Sequence, residues 1–313
     1  MIRSSQAAIE AARLLGERAL TNHPLGPRTT YRVGGPAAVF FPLHDEADLA
    51  RAAAVVEATG VEVLVVGKGS NLLVADAGFP GMAVALGPGF ATVALGASTA
   101  TAGGATDLPV LARRTAAAGL RGLEWSVGVP GSVGGGVRMN AGGHGSDMAA
   151  TLARVRVLDL RTGHDGVVDA GALDLGYRRS SLAPAQLVVA AEFGLDPGDP
   201  ASARAEVAEV VRWRREHQPG GQNAGSVFAN PPGDTAGRLV EEAGCRGLRL
   251  GTAQVSDKHA NFIQSEPGGS ADDVAALITE VRRRVRSVTG VELATELRLV
   301  GFPSAAGTEV DEG

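Results

Sequence analysis

Two glycine-rich stretches of the sequence could bind phosphate through the peptide backbone. The first, GKGSN at residues 67–71, directly follows the apolar run VLVV. The second, GVPGSVGGGVRMNAGGHG at residues 128–145, has glycine at eight of eighteen positions. Successive N–H groups in such turns can form a concave nest for phosphate oxygens. Either loop alone could be an ordinary tight turn, but two of them favour a long phosphate-bearing ligand.

Neither loop matches the common nucleotide-binding fingerprints. The Walker pattern G-x-x-x-x-G-K-[ST] is absent around residues 67–71. The Rossmann pattern lacks its third glycine there, and the residues that follow are apolar and β-branched rather than helical. The remaining interpretation is a strand–loop–strand that binds phosphate with its backbone.

Composition and charge exclude several classes of protein. The chain has 313 residues and a net charge of −5, which argues against a nucleic-acid-binding surface. Cys245 is the only cysteine, so we expect a reducing, cytoplasmic setting without disulfides. Residues 77–106 carry no charge, but their glycines, serines and threonines predict short strands rather than a membrane span. The six histidines have no metal-ligand spacing, so we expect no metal site.

The hydrophobic pattern alternates between strands and helices along the first two thirds of the chain. Residues 37–66 read as strand, helix, strand, and residues 108–119 as a further helix. Residues 153–166 predict a strand that enters a hairpin turn, and residues 186–195 predict another strand. The breaker cluster DPGDP at 196–200 predicts a domain boundary.

Helices dominate beyond this boundary. Residues 201–219 and 234–244 have helical patterns, and Ser270 is placed to begin a third helix. The third helix has one apolar stripe, formed by Val274, Leu277, Ile278, Val281, Val285 and Val288. Its arginines, at 282–284 and 286, are interpreted as a solvated face.

Six motifs occur in an order typical of one enzyme family. They are TTYRVGGPA, VVGKGSNLLV, GLEWSVGVPGSVGGGVRMNAGGHG, YRRSSL, NAGSVFANP and VSDKHANFI. Together, from about Asn22 to Gly301, they closely resemble the UDP-N-acetylenolpyruvoylglucosamine reductases of peptidoglycan synthesis. The short connection after YRRSSL resembles the compact subgroup that lacks an inserted tyrosine loop.

The resemblance implies an α+β fold that binds FAD. It implies a two-lobed FAD-binding domain of the vanillyl-alcohol-oxidase (PCMH) type at residues 1–196, with lobes of about 1–87 and 88–196. A smaller α+β substrate-binding domain would follow at 197–302, and a disordered tail at 303–313. The cofactor-binding residues implied are Gly67, Gly69, Ser70, Asn71, Gly128, Pro130, Gly131, Ser132, Gly134 and Asn140.

By the same resemblance, NADPH donates hydride through FAD to UDP-N-acetylglucosamine enolpyruvate, which becomes UDP-N-acetylmuramate. Ser226 matches the proton donor, Arg178 the catalytic arginine, and Glu296 the acid near the enol intermediate. Without the resemblance, Ser226 would be a turn serine and Glu296 part of a surface ion pair. The sequence ATEL also lacks the proline that usually precedes this glutamate.

The substrate-binding residues implied are Tyr177, Asn230, His217 and Lys258. His217 and Ala229 stand where relatives often have lysine, which leaves the contact of His217 with the anionic groups of the substrate open. Two alternatives remain at this point. One is another FAD-linked oxidoreductase that acts on an alcohol or carbohydrate, and the other is a flavin- or nucleotide-sugar-binding module without catalysis. The choice between NADPH and NADH also stays open.

Overall fold

The first lobe is a four-stranded sheet with two helices on one face. The structure is a computed structural model that describes residues 4–303. The elements are α1 (Gln6–Leu15), β1 (Leu20–Pro24), β2 (Pro36–Leu43), α2 (Glu46–Thr59), β3 (Val63–Val65), β4 (Leu72–Val74) and β5 (Phe79–Leu86). The strand order is β1-β2-β5-β3, with β5 parallel to both of its neighbours. Asp45 caps α2, and Gly60 ends it with a positive φ of 62°.

The second lobe is a five-stranded antiparallel sheet. Its order is β12-β11-β13-β7-β6. The elements are β6 (Val93–Leu95), β7 (Thr99–Gly103), α3 (Leu108–Ala117), β8 (Leu120–Arg121), α4 (Val133–Arg138), β9 (Gly142–Gly143), β10 (Ser146–Asp147), β11 (Leu152–Asp159), β12 (Asp165–Asp169), β13 (Gln186–Gly194) and β14 (Asp196–Pro197). Leu187 and Val189 of β13 pack into the core of the first lobe, so the two lobes share apolar contacts.

The C-terminal part contains a three-stranded antiparallel sheet with the order β15-β16-β17. The elements are α5 (Pro200–His217), α6 (Ala236–Glu242), β15 (Arg249–Leu250), β16 (Ala253–Val255), β17 (Ile263–Ser265), α7 (Ala271–Thr289) and β18 (Arg298–Val300). The predicted boundary at 196 stays a prediction. Helix α5, which follows it, packs Ala203 and Val207 against Ala112 and Ala116 of α3.

Strand pairing and side-chain hydrogen bonds both join the C-terminal part to the first lobe. Strand β18 pairs in parallel with β4, with Arg298 opposite Leu72. The carboxylate of Asp76 accepts a hydrogen bond of 3.0 Å from the Ala271 N–H and contacts the Ser270 hydroxyl at the start of α7. These contacts lie just after residues 67–71, so they hold the C-terminal part next to the first glycine-rich loop.

Most predicted elements are confirmed, and three details differ. The patterns at 37–66, 108–119, 153–166, 186–195 and 201–219 form the predicted elements, and the uncharged segment 77–106 forms strands β5, β6 and β7. The second glycine-rich stretch contains the short helix α4, which its composition did not predict. Val288 is 58% exposed, so the buried stripe of α7 ends at Val285. The alternation of Leu293, Leu297 and Leu299 predicts that they share one face of a strand. Leu299 is 40% exposed, so the buried part of this face ends at Leu297.

No helix in the described range, 4–303, is long and apolar enough to cross a lipid bilayer. Of the predicted disordered tail, residues 304–313 lie outside the described residues.

Candidate active site

The two glycine-rich loops lie side by side. A Cβ atom added to Gly67 would come within 2.7 Å of the Ser132 hydroxyl oxygen, and one added to Gly131 would lie 3.6 Å from the Ser70 hydroxyl oxygen. An ion pair between Lys68 and Asp107 also connects the first loop to the start of α3. Two loops about sixty residues apart in sequence therefore form one surface.

The first loop presents a row of free amide groups. Within residues 4–303, no acceptor is found for the backbone N–H groups of the five residues 67–71. The loop is held from the other side, where the Gly69 carbonyl accepts a 3.2 Å hydrogen bond from the Thr30 N–H. Gly69 has a φ of +61°, and a Cβ there would lie 2.4 Å from the Arg28 carbonyl oxygen. Five consecutive donors without partners fit a diphosphate.

The glycines of the second loop serve two different purposes. The Gly134 N–H already donates to the Gly104 carbonyl at 2.9 Å, so this N–H is not available to a ligand. A Cβ on Gly136 would lie 2.6 Å from the Met148 side chain. Gly134 and Gly136 therefore allow α4 to pack closely on its neighbours. Gly131 and Gly135 remain beside Ser70 and Ser132.

Asn140 organises the turns of the site with its side chain. Its amide nitrogen donates to the Gly176 carbonyl at 2.9 Å and to Asp147 at 3.2 Å, and its amide oxygen accepts from the Ala149 N–H at 3.0 Å. The residue is buried and adopts a φ of +39°. Its side-chain amide is thus used within the protein, and it fixes the position of the turn that carries Arg178.

Arg178 and Glu296 meet although they are far apart in sequence. The Arg178 Nε atom forms an ion pair with the Glu296 carboxylate, and its Nη1 atom donates to the Gly142 carbonyl at 3.1 Å. Arg178 adopts a φ of +58°, in a region that L-residues rarely occupy. The neighbouring Arg179 is exposed and pairs with Asp174.

Ser226 and Glu296 lie on adjacent backbone segments. The Val227 carbonyl accepts from the Glu296 N–H at 2.8 Å, and Asn261 bonds both backbone groups of Phe228 at 3.0 and 2.8 Å. The Glu296 carbonyl accepts a 3.0 Å bond from the Asn71 side-chain amide. Ser226 is partly exposed, and within the described range its hydroxyl has no hydrogen-bond partner. Glu296 thus contacts Arg178 with its side chain and Asn71 of the first loop with its carbonyl, and Ser226 lies next to the residue that bonds the Glu296 N–H.

The environment of Glu296 favours its protonated form. Its side chain is only 13% exposed, and this burial raises the pKa of the Glu296 carboxyl, although the positive charge of Arg178 and its hydrogen bond partly oppose the shift. Burial raises a carboxyl pKa because it disfavours the charged form.

This raised pKa leads to a prediction about stability. A raised pKa in the folded state means that protonated Glu296 stabilises the fold at low pH, and that this contribution is lost as pH rises through the folded pKa. Relative to Glu296→Gln, the native protein is expected to lose melting temperature as the pH rises above about 4, the usual pKa of a glutamate. Thermal melts of both proteins at increasing pH test this prediction. A difference in melting temperature, native minus variant, that stays constant or increases with pH would contradict it.

Comparison with known proteins shows the family to which the chain belongs. Residues 36–166 match the family profile "FAD binding domain", and residues 217–300 match "UDP-N-acetylenolpyruvoylglucosamine reductase, C-terminal domain". The UDP-N-acetylenolpyruvoylglucosamine reductase of Acidiphilium cryptum is 45% identical over 284 residues, which cover 90% of each chain. The chain belongs to the UDP-N-acetylenolpyruvoylglucosamine reductase family. It is an FAD-dependent oxidoreductase of that family.

Solved structures confirm the predicted fold class. The crystal structure of the reductase from Thermus caldophilus superposes with a TM-score of 0.77 and 37% identity, over 88% of this chain and 97% of that one. A berberine-bridge-enzyme-like protein of Physcomitrella patens, 14% identical, gives a TM-score of 0.55 over 90% of each chain and shows the fold alone. The connection from Leu182 to β13 at Gln186 is as short as predicted.

The residues predicted to bind substrate each make their own contacts in this reductase. Tyr177 is 61% exposed, and its ring lies 5.3 Å from the Arg178 guanidinium. The Asn230 side chain accepts from the Ala236 N–H at 3.0 Å, which fixes the start of α6. His217 and Lys258 lie at the C-terminal end of α5, where the Lys258 ammonium donates to the Arg215 carbonyl at 2.6 Å.

Arg214 was not predicted, yet it lies against the second loop. A Cβ on Gly128 would be 2.9 Å from Arg214 Cδ and 3.4 Å from its Nη1 atom. Burial lowers the pKa of this guanidinium, and none of the described carboxylates pairs with it. In the sequence Arg214 lies within the run RWRRE, where nothing separates it from the exposed arginines around it. A half-buried cation beside the second loop fits an anionic ligand.

The free amides give a direct test of where FAD binds. Gly69→Ala is expected to lower the FAD affinity at least about tenfold, because the new Cβ would displace the loop from Arg28 and disturb its φ. Absorbance at the flavin band per protein chain measures the effect. Gly163→Ala is the matched control, since Gly163 has a φ of +69° but open space around it. Equal FAD content in the two variants would contradict the assignment.

Proposed function

We propose that the protein uses NADPH and FAD to reduce UDP-N-acetylglucosamine enolpyruvate to UDP-N-acetylmuramate. This reaction would supply peptidoglycan precursors in the cytoplasm, and through them support cell shape and division. Family membership and the FAD-binding fold support the proposal. The observation that carries it is the contact of Arg178 with Glu296, which bonds Asn71 of the loop with free amides and pairs with the residue after Ser226.

The reaction itself defines what the site must supply. Reduction of an enolpyruvyl ether needs a hydride at the terminal carbon and a proton at the carbon that bears the carboxylate. Bound FAD supplies the hydride chemistry, accepting from the nicotinamide and donating to the enolpyruvyl group. The protein must stabilise the negative charge that develops on the substrate, and it must hold a proton donor on the correct face.

Arg178 is suited to stabilise that charge. A guanidinium presents a planar fork of donors that can bond two oxygens of a carboxylate or enolate at once. The Gly142 carbonyl and the Glu296 carboxylate hold it in place. We assign Arg178 to the carboxylate and enolate oxygens of the substrate, and we assign the adjacent Glu296 to the same reacting group as an acid.

Ser226 is assigned as the proton donor. A serine hydroxyl is a weak acid in water, so it must be positioned and partly desolvated before it can donate. Its backbone neighbours are fixed by Asn261 and by the hydrogen bond from Glu296 to Val227. The hydroxyl has no protein partner among residues 4–303, so it is free to donate to substrate.

The amides of residues 67–71 are assigned to the diphosphate of FAD, with Gly131 and Ser132 on the neighbouring loop. Arg214 adds a positive charge beside Gly128. Backbone donors held by a rigid turn need little reorganisation when the ligand binds, which suits a resident cofactor.

Product analysis tests the proposed function. Holoenzyme incubated with NADPH and the enolpyruvyl sugar is expected to convert the sugar to a product heavier by two hydrogens. In deuterium oxide, one deuterium should enter at the carbon that bears the carboxylate. NADH is tested in parallel as the alternative hydride donor. An unchanged UDP-sugar, with rapid oxidation of the reduced flavin by oxygen instead, would point to the alternative oxidase activity on an alcohol or carbohydrate.

A further inference from the structure

An ion pair crosses from the first glycine-rich loop to the start of α3, and the proposed chemistry does not use it. The Lys68 ammonium, the one charged side chain of residues 67–71, contacts the Asp107 carboxylate. The two side chains are 45% and 43% exposed. Gly131 and Ser132 of the second loop are buried, so the pair lies nearer to solvent than they do. We call Lys68 and Asp107 the loop clasp.

Backbone contacts tie Asp107 to the second glycine-rich loop. The Val133 N–H of that loop donates to the Thr106 carbonyl at 2.8 Å. Asp107 itself forms an isolated antiparallel bridge with Ser132. These contacts fix the backbone of residue 107 to the second loop. An ion pair from Lys68 to Asp107 is therefore a link between the first loop and the second.

The Asp107 carboxylate is available for this link because it does not cap α3. An aspartate that precedes a helix usually accepts a hydrogen bond from the N–H two or three residues later. The first of these positions is Pro109, which has no N–H. At the second position, the Val110 N–H donates to the main-chain carbonyl of Asp107 at 3.0 Å. The carboxylate makes no capping bond, and its charge is met by Lys68 instead.

The loop clasp lies beside the amides that we assign to the FAD diphosphate. The Lys68 N–H belongs to that row, while its side chain reaches across to Asp107. A ligand held between the two loops leaves when the loops move apart, and this movement breaks the ion pair. Lys68 also neutralises a carboxylate that would otherwise repel the negative charge of a diphosphate. Both effects oppose release of the ligand.

We propose that the loop clasp holds the two glycine-rich loops together over the FAD diphosphate and slows the release of FAD. Lys68 and Asp107 are positioning residues, since they act on the loops and neither side chain is assigned to cofactor or substrate. This inference goes beyond the proposed reaction. It rests on one part of the proposed function, the diphosphate site at residues 67–71.

The rate at which the holoenzyme exchanges its FAD tests the proposal. Protein loaded with isotopically labelled FAD is mixed with an excess of unlabelled FAD, and mass spectrometry follows the label that the protein retains. Lys68→Met, which keeps the apolar stem, and Asp107→Asn are each expected to raise the release rate about threefold at low salt, the scale of an exposed ion pair. At about 1 M salt the native rate should approach that of the variants, because the charges are screened.

Two further variants serve as controls. The double variant Lys68→Met with Asp107→Asn should release FAD no faster than either single variant, because all three lose the same contact. Arg249→Met breaks an ion pair with Glu266 in the C-terminal sheet, where the side chains are 51% and 54% exposed. Its release rate should equal that of the native protein.

The direction of the Asp107→Asn effect decides between a clasp and a direct phosphate contact. If Lys68 bonded the phosphates, removal of the competing carboxylate would slow the release of FAD, and this result would overturn the proposal. Unchanged release from both single variants, or additive increases in the double variant, would overturn it as well. Turnover of the enolpyruvyl sugar is not part of the readout, so failure of the proposed reaction and failure of this inference are separate results.

Discussion

Ser226→Ala is expected to lower turnover of the enolpyruvyl sugar by at least about 10²–10⁴, the usual contribution of a general acid. The Ser226 hydroxyl lies on the segment that the Glu296 N–H and the Asn261 side chain hold in place. Its removal takes away the proposed proton donor and leaves the amides of residues 67–71 untouched. Hydride transfer from NADPH to bound FAD should therefore keep its rate within about threefold. Stopped-flow measurement of the two half-reactions separates these effects.

Ser98→Ala provides the matched control. Ser98 is exposed, and within residues 4–303 only its backbone carbonyl is engaged, by the Leu195 N–H at 2.8 Å. Its turnover should equal that of the native protein. If Ser226→Ala slows both half-reactions equally, or neither, the hydroxyl is not the proton donor.

Arg178→Ala is expected to lower turnover by about 10²–10³, the usual effect of removing one group that stabilises developing negative charge. Arg178 is the cation that contacts Glu296, so its loss also leaves that carboxyl buried without its ion-pair partner. Arg178→Lys should recover only part of the activity, because an ammonium cannot bond two oxygens in the fork geometry of a guanidinium. The effect should fall on the reaction of the enolpyruvyl sugar, measured as kcat/KM.

Arg179→Ala is a close control for this experiment. Arg179 is the next residue, carries the same charge, and pairs at the surface with Asp174. Its removal should change kcat/KM less than about twofold, in line with the small contribution of exposed ion pairs. Similar losses for the two arginines would show that general charge, rather than the position of Arg178, supports the reaction.

Individual helices and strands could be predicted from the sequence, because each one depends mainly on residues close to it in the chain. The helix of α2 needs only its apolar spacing, the cap Asp45 and the terminal Gly60. The convergence of Asn71 with Glu296 joins residues 225 positions apart, and no local pattern carries that information. Only the ordered motifs, read as a resemblance, led to the proposal that Ser226, Arg178 and Glu296 act together.

Other features of the site could not be read from residue types. A glycine that approaches a ligand and one that packs against a sheet look alike in sequence, so the packing role of Gly134 and Gly136 was hidden. Asn140 resembles a ligand-binding amide, although its side chain bonds the turns on either side of it. Arg214 differs from its neighbouring arginines only in its contact with Gly128, which depends on how α5 packs on the second lobe.

An anaerobic double-mixing experiment on the holoenzyme tests the central claim most directly. Mixing with NADPH should bleach the flavin absorbance, and a second mixing with the UDP-linked enolpyruvyl sugar should restore it within the turnover time, with UDP-N-acetylmuramate as the product. A reduced flavin that stays bleached after the sugar is added, and that only oxygen reoxidises, would contradict the account.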